Sequence, residues 1–335
     1  MKKILFFISM AVLSISMFSG CGKVSEKDVL KELTKKIKDS EGYNVVGELE
    51  IVNSEYVYEY DVEVAYKSGD YFRVSLKNKT NNHEQIILKN KDGVFVLTPS
   101  LNKSFKFQSD WPYNNSQSYL FQTLLNDINN DDNKTFEIKE NEYIYTTKVN
   151  YSNNKNLVKQ KIYIDKDYNI FKVEVLTEND EIKMKMDFNK IEMDKKIDEE
   201  YFELSNNMTV AKEIEDTVKQ TSKIEDIIYP MYIPENTHLT GQNIINKEDG
   251  ERVILTFSGD KPFVFVQETV DYEDEFTTVP VYGEPLILTD TIGSLSENSA
   301  SWIRNNVEYY LVSDSLSQEE LVSVVQSVSV MPVSK

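Results

Sequence analysis

From Tyr56 to Tyr66 every even-numbered position is aromatic or aliphatic: Tyr56, Tyr58, Tyr60, Val62, Val64 and Tyr66, with Glu59, Asp61 and Glu63 between them. Successive side chains of a strand point to opposite faces, so this alternation predicts a long strand with one apolar face and one wet face. Phe72, Val74 and Leu76 continue the pattern, and Ile182, Met184, Met186 and Phe188 repeat it around Lys183, Lys185 and Asp187. Sheets wet on one side are usually antiparallel. Their apolar side must be covered, and two amphipathic helices are available. Ser25 opens the first, with Asp28 placed as in a capping box and Val29, Leu30, Leu33 and Ile37 on one face. The second carries Leu120, Phe121, Leu124, Leu125 and Ile128. The expected class is α+β, an antiparallel sheet curled around its helices.

A polar stretch at 206–223 reads as a linker, giving a first domain over 21–205 and a smaller α+β domain over 224–335. Tyr229-Pro230-Met231-Tyr232-Ile233-Pro234-Glu235 is held extended by its prolines. Strands are expected at Val253–Phe257, Phe263–Gln267, Pro285–Leu288, Ala300–Arg304 and Val307–Val312. Ser317-Gln318-Glu319-Glu320 is a capping box for a last helix bearing Leu321, Val324, Val325 and Val328. Charge divides the same way. Residues 211–335 hold 8 Lys+Arg against 22 Asp+Glu, and residues 21–210 hold 27 against 34. A chain of net charge −19 repels nucleic acid and anionic headgroups.

Met1-Lys2-Lys3 precedes an apolar run from Ile4 to Phe18, then Ser19-Gly20-Cys21. A basic start before an apolar stretch this short is an export signal rather than a membrane span. Small residues before a cysteine resemble the lipobox of bacterial lipoproteins, although Phe18 stands where an aliphatic residue is usual. The expectation is removal of residues 1–20, acyl chains on Cys21, and a protein anchored on the extracytoplasmic face of the cell membrane. Cys21 is the only cysteine, so no internal disulfide can form.

Lys91-Asp92-Gly93-Val94-Phe95-Val96-Leu97-Thr98-Pro99 resembles the hairpin and closing proline of the lipoprotein carrier and receptor superfamily, the LolA/LolB-like proteins. Ile164-Asp165-Lys166-Asp167-Tyr168-Asn169-Ile170 and Ile197-Asp198-Glu199-Glu200-Tyr201-Phe202 are similar to its later hairpin and closing segment. The resemblance covers residues 25–205. It implies a half-open antiparallel β-barrel, its concave apolar face closed by helices and able to hold acyl chains. Lys67-Ser68 stands where the carriers have arginine and proline. The later run of Pro230 to Glu235, Trp302, Glu308-Tyr309-Tyr310-Leu311 and the final helix is similar to a small domain found behind LolA-like domains in lipoproteins of spore-forming bacteria. Some of those belong to sporulation and germination.

Catalytic and metal chemistry is thin. His83 and His238 each stand alone in a polar, turn-like context, better suited to a surface turn than to catalysis. Asp127-Ile128-Asn129-Asn130-Asp131 and Asp165-Lys166-Asp167-Tyr168-Asn169 imitate calcium loops but lack the sixth-position glycine and twelfth-position carboxylate. Asp271, Glu273, Asp274 and Glu275 read as a solvated loop. No phosphate loop or nucleophile elbow occurs, and neither a cofactor nor a bound metal is expected. The leading reading is a non-catalytic binding or regulatory lipoprotein of the envelope, serving sporulation or germination through a protein partner or a hydrophobic ligand. Second is a carrier of lipid or lipoprotein. Third is an envelope stress sensor, since a regulator of anti-sigma proteolysis also joins a LolA-like domain to a smaller one. An enzyme comes last.

Overall fold

The computed structural model describes residues 24–53, 56–151, 154–208, 223–248, 250–270, 277–288 and 290–329. Ser25 caps helix α1 (Glu26–Lys38) as its sequence predicts. Ser25 Oγ accepts from the Asp28 N–H at 3.3 Å, and the Asp28 carboxylate accepts from the Ser25 N–H at 3.2 Å. Such a cap is worth about 1 kcal/mol. It starts a helix whose Val29, Leu33 and Ile37 are buried in the core below.

That core belongs to strands β1 (Gly42–Asn53), β2 (Tyr56–Lys67), β3 (Tyr71–Asn78), β4 (Glu84–Asn90), β5 (Gly93–Thr98) and β6 (Lys103–Phe107). Helix α2 (Phe121–Asn130) interrupts them, and β7 (Thr135–Lys139), β8 (Glu142–Lys148), β9 (Lys159–Ile164), β10 (Ile170–Leu176) and β11 (Ile182–Met193) follow. The sheet runs β6-β5-β4-β3-β2-β1-β11-β10-β9-β8-β7, each neighbour antiparallel. Val62 and Val64 of β2 are buried with Phe72, Val74, Leu124 and Met186, so the period-two face is the core face. Tyr43 in β1 donates its hydroxyl to Gln122 Oε1 in α2 at 2.6 Å, fixing helix to sheet, and burial pushes its pKa far up. At Gly47 the register of β1 on β11 shifts, and an added Cβ would stand 2.2 Å from the Asp187 carbonyl oxygen. Only glycine permits that approach.

The other face is dry in one place where the pattern led us to expect water. Ala65, Ile86, Leu88, Phe95 and Leu97 pack beneath Phe202 and Met208. Those two arrive on a 3-10 turn (Glu199–Phe202) and helix α3 (Leu204–Met208). The unbroken apolar runs of β4 and β5 agree with burial on both sides.

The second sheet is antiparallel, in the order β12-β13-β14-β19-β18-β17-β16. Its strands are β12 (Thr237–Lys247), β13 (Gly250–Gly259), β14 (Phe263–Thr269), β16 (Glu284–Ile287), β17 (Ile292–Leu295), β18 (Ser299–Arg304) and β19 (Val307–Val312). Helix α4 (Gln318–Ser329) lays Leu321, Val324, Val325 and Val328 into one core with Phe265, Trp302 and Tyr309. The predicted box is present at its start: Glu320 N–H donates to Ser317 Oγ, and Ser317 N–H donates to Glu320 Oε2.

One strand crosses over. β15 (Thr277–Val281) leaves the second stretch of chain and pairs parallel with β6, making the first sheet twelve-stranded. A fully antiparallel sheet was expected. The parallel pair arises because β15 reaches the edge from a distant element rather than through a hairpin. The sheet stays open, with β15 and β7 at its ends. Further contacts join the two parts: the Lys103–Glu308 ion pair at 3.7 Å, and the cluster of Leu101, Val270 and Ile303. The architecture is α+β, mostly open sheet with few helices. Within the expected linker, residues 209–222 lie outside the described residues.

Candidate functional site

Between the two sheets lies a cavity of about 320 Å³. Ile51 and Val52 of β1, Ile87 of β4 and Met184 of β11 form its apolar floor. Trp111 and the run Gln117-Ser118-Tyr119 before α2 make one wall, and Tyr151 with Asn154, Asn156 and Leu157 another. The roof comes from the far end of the chain: Pro285, Ile287 and Leu288, with Gln326 of α4. The walls are clamped to each other. Ser116 N–H donates to the Asn150 carbonyl and Asn150 N–H to Ser116 Oγ, both at 2.9 Å. Asn115 Nδ2 donates to Glu284 Oε2 at 3.0 Å, joining wall to roof.

The lining is half polar. Ser118 and Tyr151 stand together in the wall, the Tyr151 hydroxyl within hydrogen-bonding reach of Ser118. Both hydroxyls are buried. Tyr119, also in the wall, donates to Gln117 Oε1 at 2.6 Å. Behind the wall stands Asp127 of α2, which accepts from Gln160 Nε2 at 2.7 Å. Burial pushes its carboxyl up to about 6. Burial and then Asp127 raise Tyr151 far above the usual phenol range, so it meets a ligand as a neutral hydroxyl. Lys183 supplies one amine at the rim. Hydroxyls, amides and one amine over an apolar floor suit recognition of an amphipathic molecule.

Cys21 and residues 1–20 lie outside the described residues, as does the acidic run Asp271 to Glu275. Among the described residues no helix is long and apolar enough to cross a membrane. His83 and His238 lie in different parts of the fold, His83 in a turn of the first sheet and His238 on a strand of the second. His83 closes the β3–β4 turn, its carbonyl accepting from the Asn78 N–H, and burial lowers its pKa. His238 is exposed on β12. The two calcium-like runs are local structure. Asp165 Oδ1 accepts from the backbone N–H of Asp167 and Asn169, holding the β9–β10 turn, and Asp131 Oδ2 accepts from the Lys148 N–H. Sequence reasoning placed a cavity in the first domain alone and missed the roof at 285–288. Trp111 and the hydroxyl-rich run Ser116-Gln117-Ser118-Tyr119 were the available signals.

The profile of the family described as "Sporulation protein YdcC-like" matches residues 1–202, and the chain belongs to that family. The sporulation relatives expected from the sequence are thus found. Sporulation protein YdcC of Bacillus subtilis strain 168 is 38% identical over 317 residues, 94% of each chain. Among solved structures, one titled as the MucA/MucB complex of Pseudomonas aeruginosa aligns with a TM-score of 0.32 and 12% identity, over 88% of this chain and 96% of that one. One of the CwlD amidase from Clostridioides difficile in complex with the GerS lipoprotein gives 0.31 and 18%, over 51% and 97%. The LolA superfamily protein NE2245 from Nitrosomonas europaea gives 0.32 and 10%, over 55% and 99%.

Proposed function

We propose that this sporulation-family protein is held on the outer face of the cell membrane by acyl chains on Cys21 and acts there as a non-catalytic binding module. The observation that carries the reading is the cavity between the sheets, with the buried hydroxyls of Ser118 and Tyr151 in its wall. Its volume falls at the lower end of the range of small-molecule sites, about 300–1,000 Å³. Because the roof is Pro285 to Leu288, a ligand would touch both sheets and tighten one against the other. Binding would therefore change how the two parts sit, which is how a module without chemistry reports to a partner.

A second reading, carriage of an acyl chain, draws on the apolar floor of the same cavity. The polar wall and the lost arginine–proline pair at Lys67-Ser68 weigh against it.

The test is extraction. Full-length protein purified in detergent, and washed, should release an amphiphile into organic solvent that mass spectrometry detects. Leu288→Trp, which fills the cavity from the roof, should release none. Equal release from both proteins, or none from either, would remove the cavity from the functional account.

A further inference from the structure

Four strands end the two sheets among the described residues, and three of them are blunted in the usual ways. β7 and β15 span five residues each and β16 four. β7 carries the exposed Glu137–Lys139 ion pair, β15 contains Pro280 and β16 contains Pro285. Short length, charge and proline are the standard defences of an edge strand against unwanted pairing. β12 has none of them. It spans eleven residues, Thr-His-Leu-Thr-Gly-Gln-Asn-Ile-Ile-Asn-Lys, without proline and with its one lysine at the last position. A single irregularity interrupts it, between Leu239 and Gly241. Its inner edge is engaged with β13, and no strand among the described residues pairs with its outer edge.

Exposed apolar side chains stand among the polar ones of that strand. Leu239 is 40% accessible, Ile244 46% and Ile245 40%. Tyr229 brings the preceding segment alongside, its hydroxyl donating to Gln242 Oε1 at 2.8 Å. Exposed apolar surface beside an open row of peptide groups is the arrangement that extended segments add to.

We infer that β12 is a docking edge for an extended segment of another protein, one that alternates apolar residues with lysine or arginine. The basic character follows from charge: residues 211–335 hold 22 acidic groups against 8 basic ones. Glu235 and Asp260 lie at one end of the edge and Glu248 and Glu251 at the other, where the nearby cations are already engaged, Lys261 by Glu320 and Lys247 and Arg252 by Glu268. The same charge repels a second copy of this chain. A strand laid here gains main-chain hydrogen bonds along β12, side-chain contacts with Leu239 and Ile244, and attraction for its cations. The site shares no residue with the cavity, so each stands or falls without the other.

The experiment is selection of a displayed library of random extended peptides on the detergent-purified full chain. Enriched peptides should alternate apolar and basic residues. Their affinity should fall at least about tenfold for Leu239→Lys/Ile244→Lys, which charges the edge. It should stay within about twofold for Thr256→Lys/Val312→Lys, which adds the same charge to exposed positions of inner strands. Equal losses in both variants would overturn the inference, as would enrichment of acidic peptides or of none. So would a dimer of the full chain that the edge variant abolishes, since a second copy would then be the occupant. Edge-dependent binding to phosphatidylcholine vesicles would make it a membrane surface and overturn it too.

Discussion

Gln85 pairs with Ile292 as though its side chain were a strand. Gln85 Oε1 accepts from the Ile292 N–H at 2.6 Å, and its Nε2 donates to the Ile292 carbonyl at 3.1 Å. Thr291 Oγ1 donates to the same Oε1 at 3.0 Å. Gln85 belongs to β4 of the first sheet and Ile292 opens β17 of the second, so one buried amide fastens two sheets.

Replacing Gln85 with Leu keeps the volume and removes that fastening, stranding the Ile292 N–H and carbonyl, while the Thr291 hydroxyl keeps the Ile303 carbonyl as its acceptor at 2.9 Å. The expected loss is about 2–4 kcal/mol, from groups left unpaired at about 1–3 kcal/mol each. Urea melts followed at Trp111 and Trp302 would measure it in both parts. A midpoint unchanged within error would mean the amide contributes nothing net.

The division into two parts makes a separate prediction. A protease site inserted between residues 208 and 223 and then cut should yield two folded pieces that still co-elute on gel filtration. β15 pairing with β6, the Gln85 amide and the cavity roof all cross that break. Pieces that part in ordinary buffer would show those contacts to be too weak to hold without the covalent link.

Asp127 should make stability depend on acid. Its folded pKa is raised to about 6 while the unfolded value is near 3.8, so the native state holds the proton more tightly. This contribution is complete below pH 4, falls as pH rises through 6, and is gone above pH 7. Its size is up to about 3 kcal/mol. Asp127→Asn keeps the acceptor for Gln160 and removes the titration. The difference between parent and variant, read by urea melts, should therefore widen from pH 4 to pH 7. A flat difference curve would show Asp127 to be solvated.

The anchor is tested by fractionation. Cys21→Ala should leave the precursor without acyl chains and move the protein out of the membrane fraction. A variant that still partitions into detergent like its parent would show that something other than the cysteine holds it.

Much of the fold was legible because burial leaves periodic traces. Val62 and Val64 on β2, Met184 and Met186 on β11, and Val324, Val325 and Val328 on α4 mark faces that the chain must hide. Both capping boxes were readable because their bonds are local. β12 left no trace, since nearly all its residues are exposed and nothing selects an apolar alternation in Thr237 to Lys247. β15 was hidden for another reason: Thr277 pairs with Lys103, a partner far away in sequence. The cavity escaped in the same way. Its walls are the loops around 111–120 and 151–157 and the roof at 285–288, joined by tertiary contact rather than by any repeat.

The late return of β15 bears on how the chain folds as it is made. A chain that emerges from its N-terminus presents Lys103–Phe107 long before Thr277–Val281 can reach them. Until then β6 is a naked flank on a nascent protein, open to any passing strand. A product cut short anywhere before residue 277 keeps that flank bare for its lifetime. If the chain is exported as proposed, its passage must either run through this interval quickly or shelter it, and the products of premature stops before residue 277 should be found clumped rather than merely inactive.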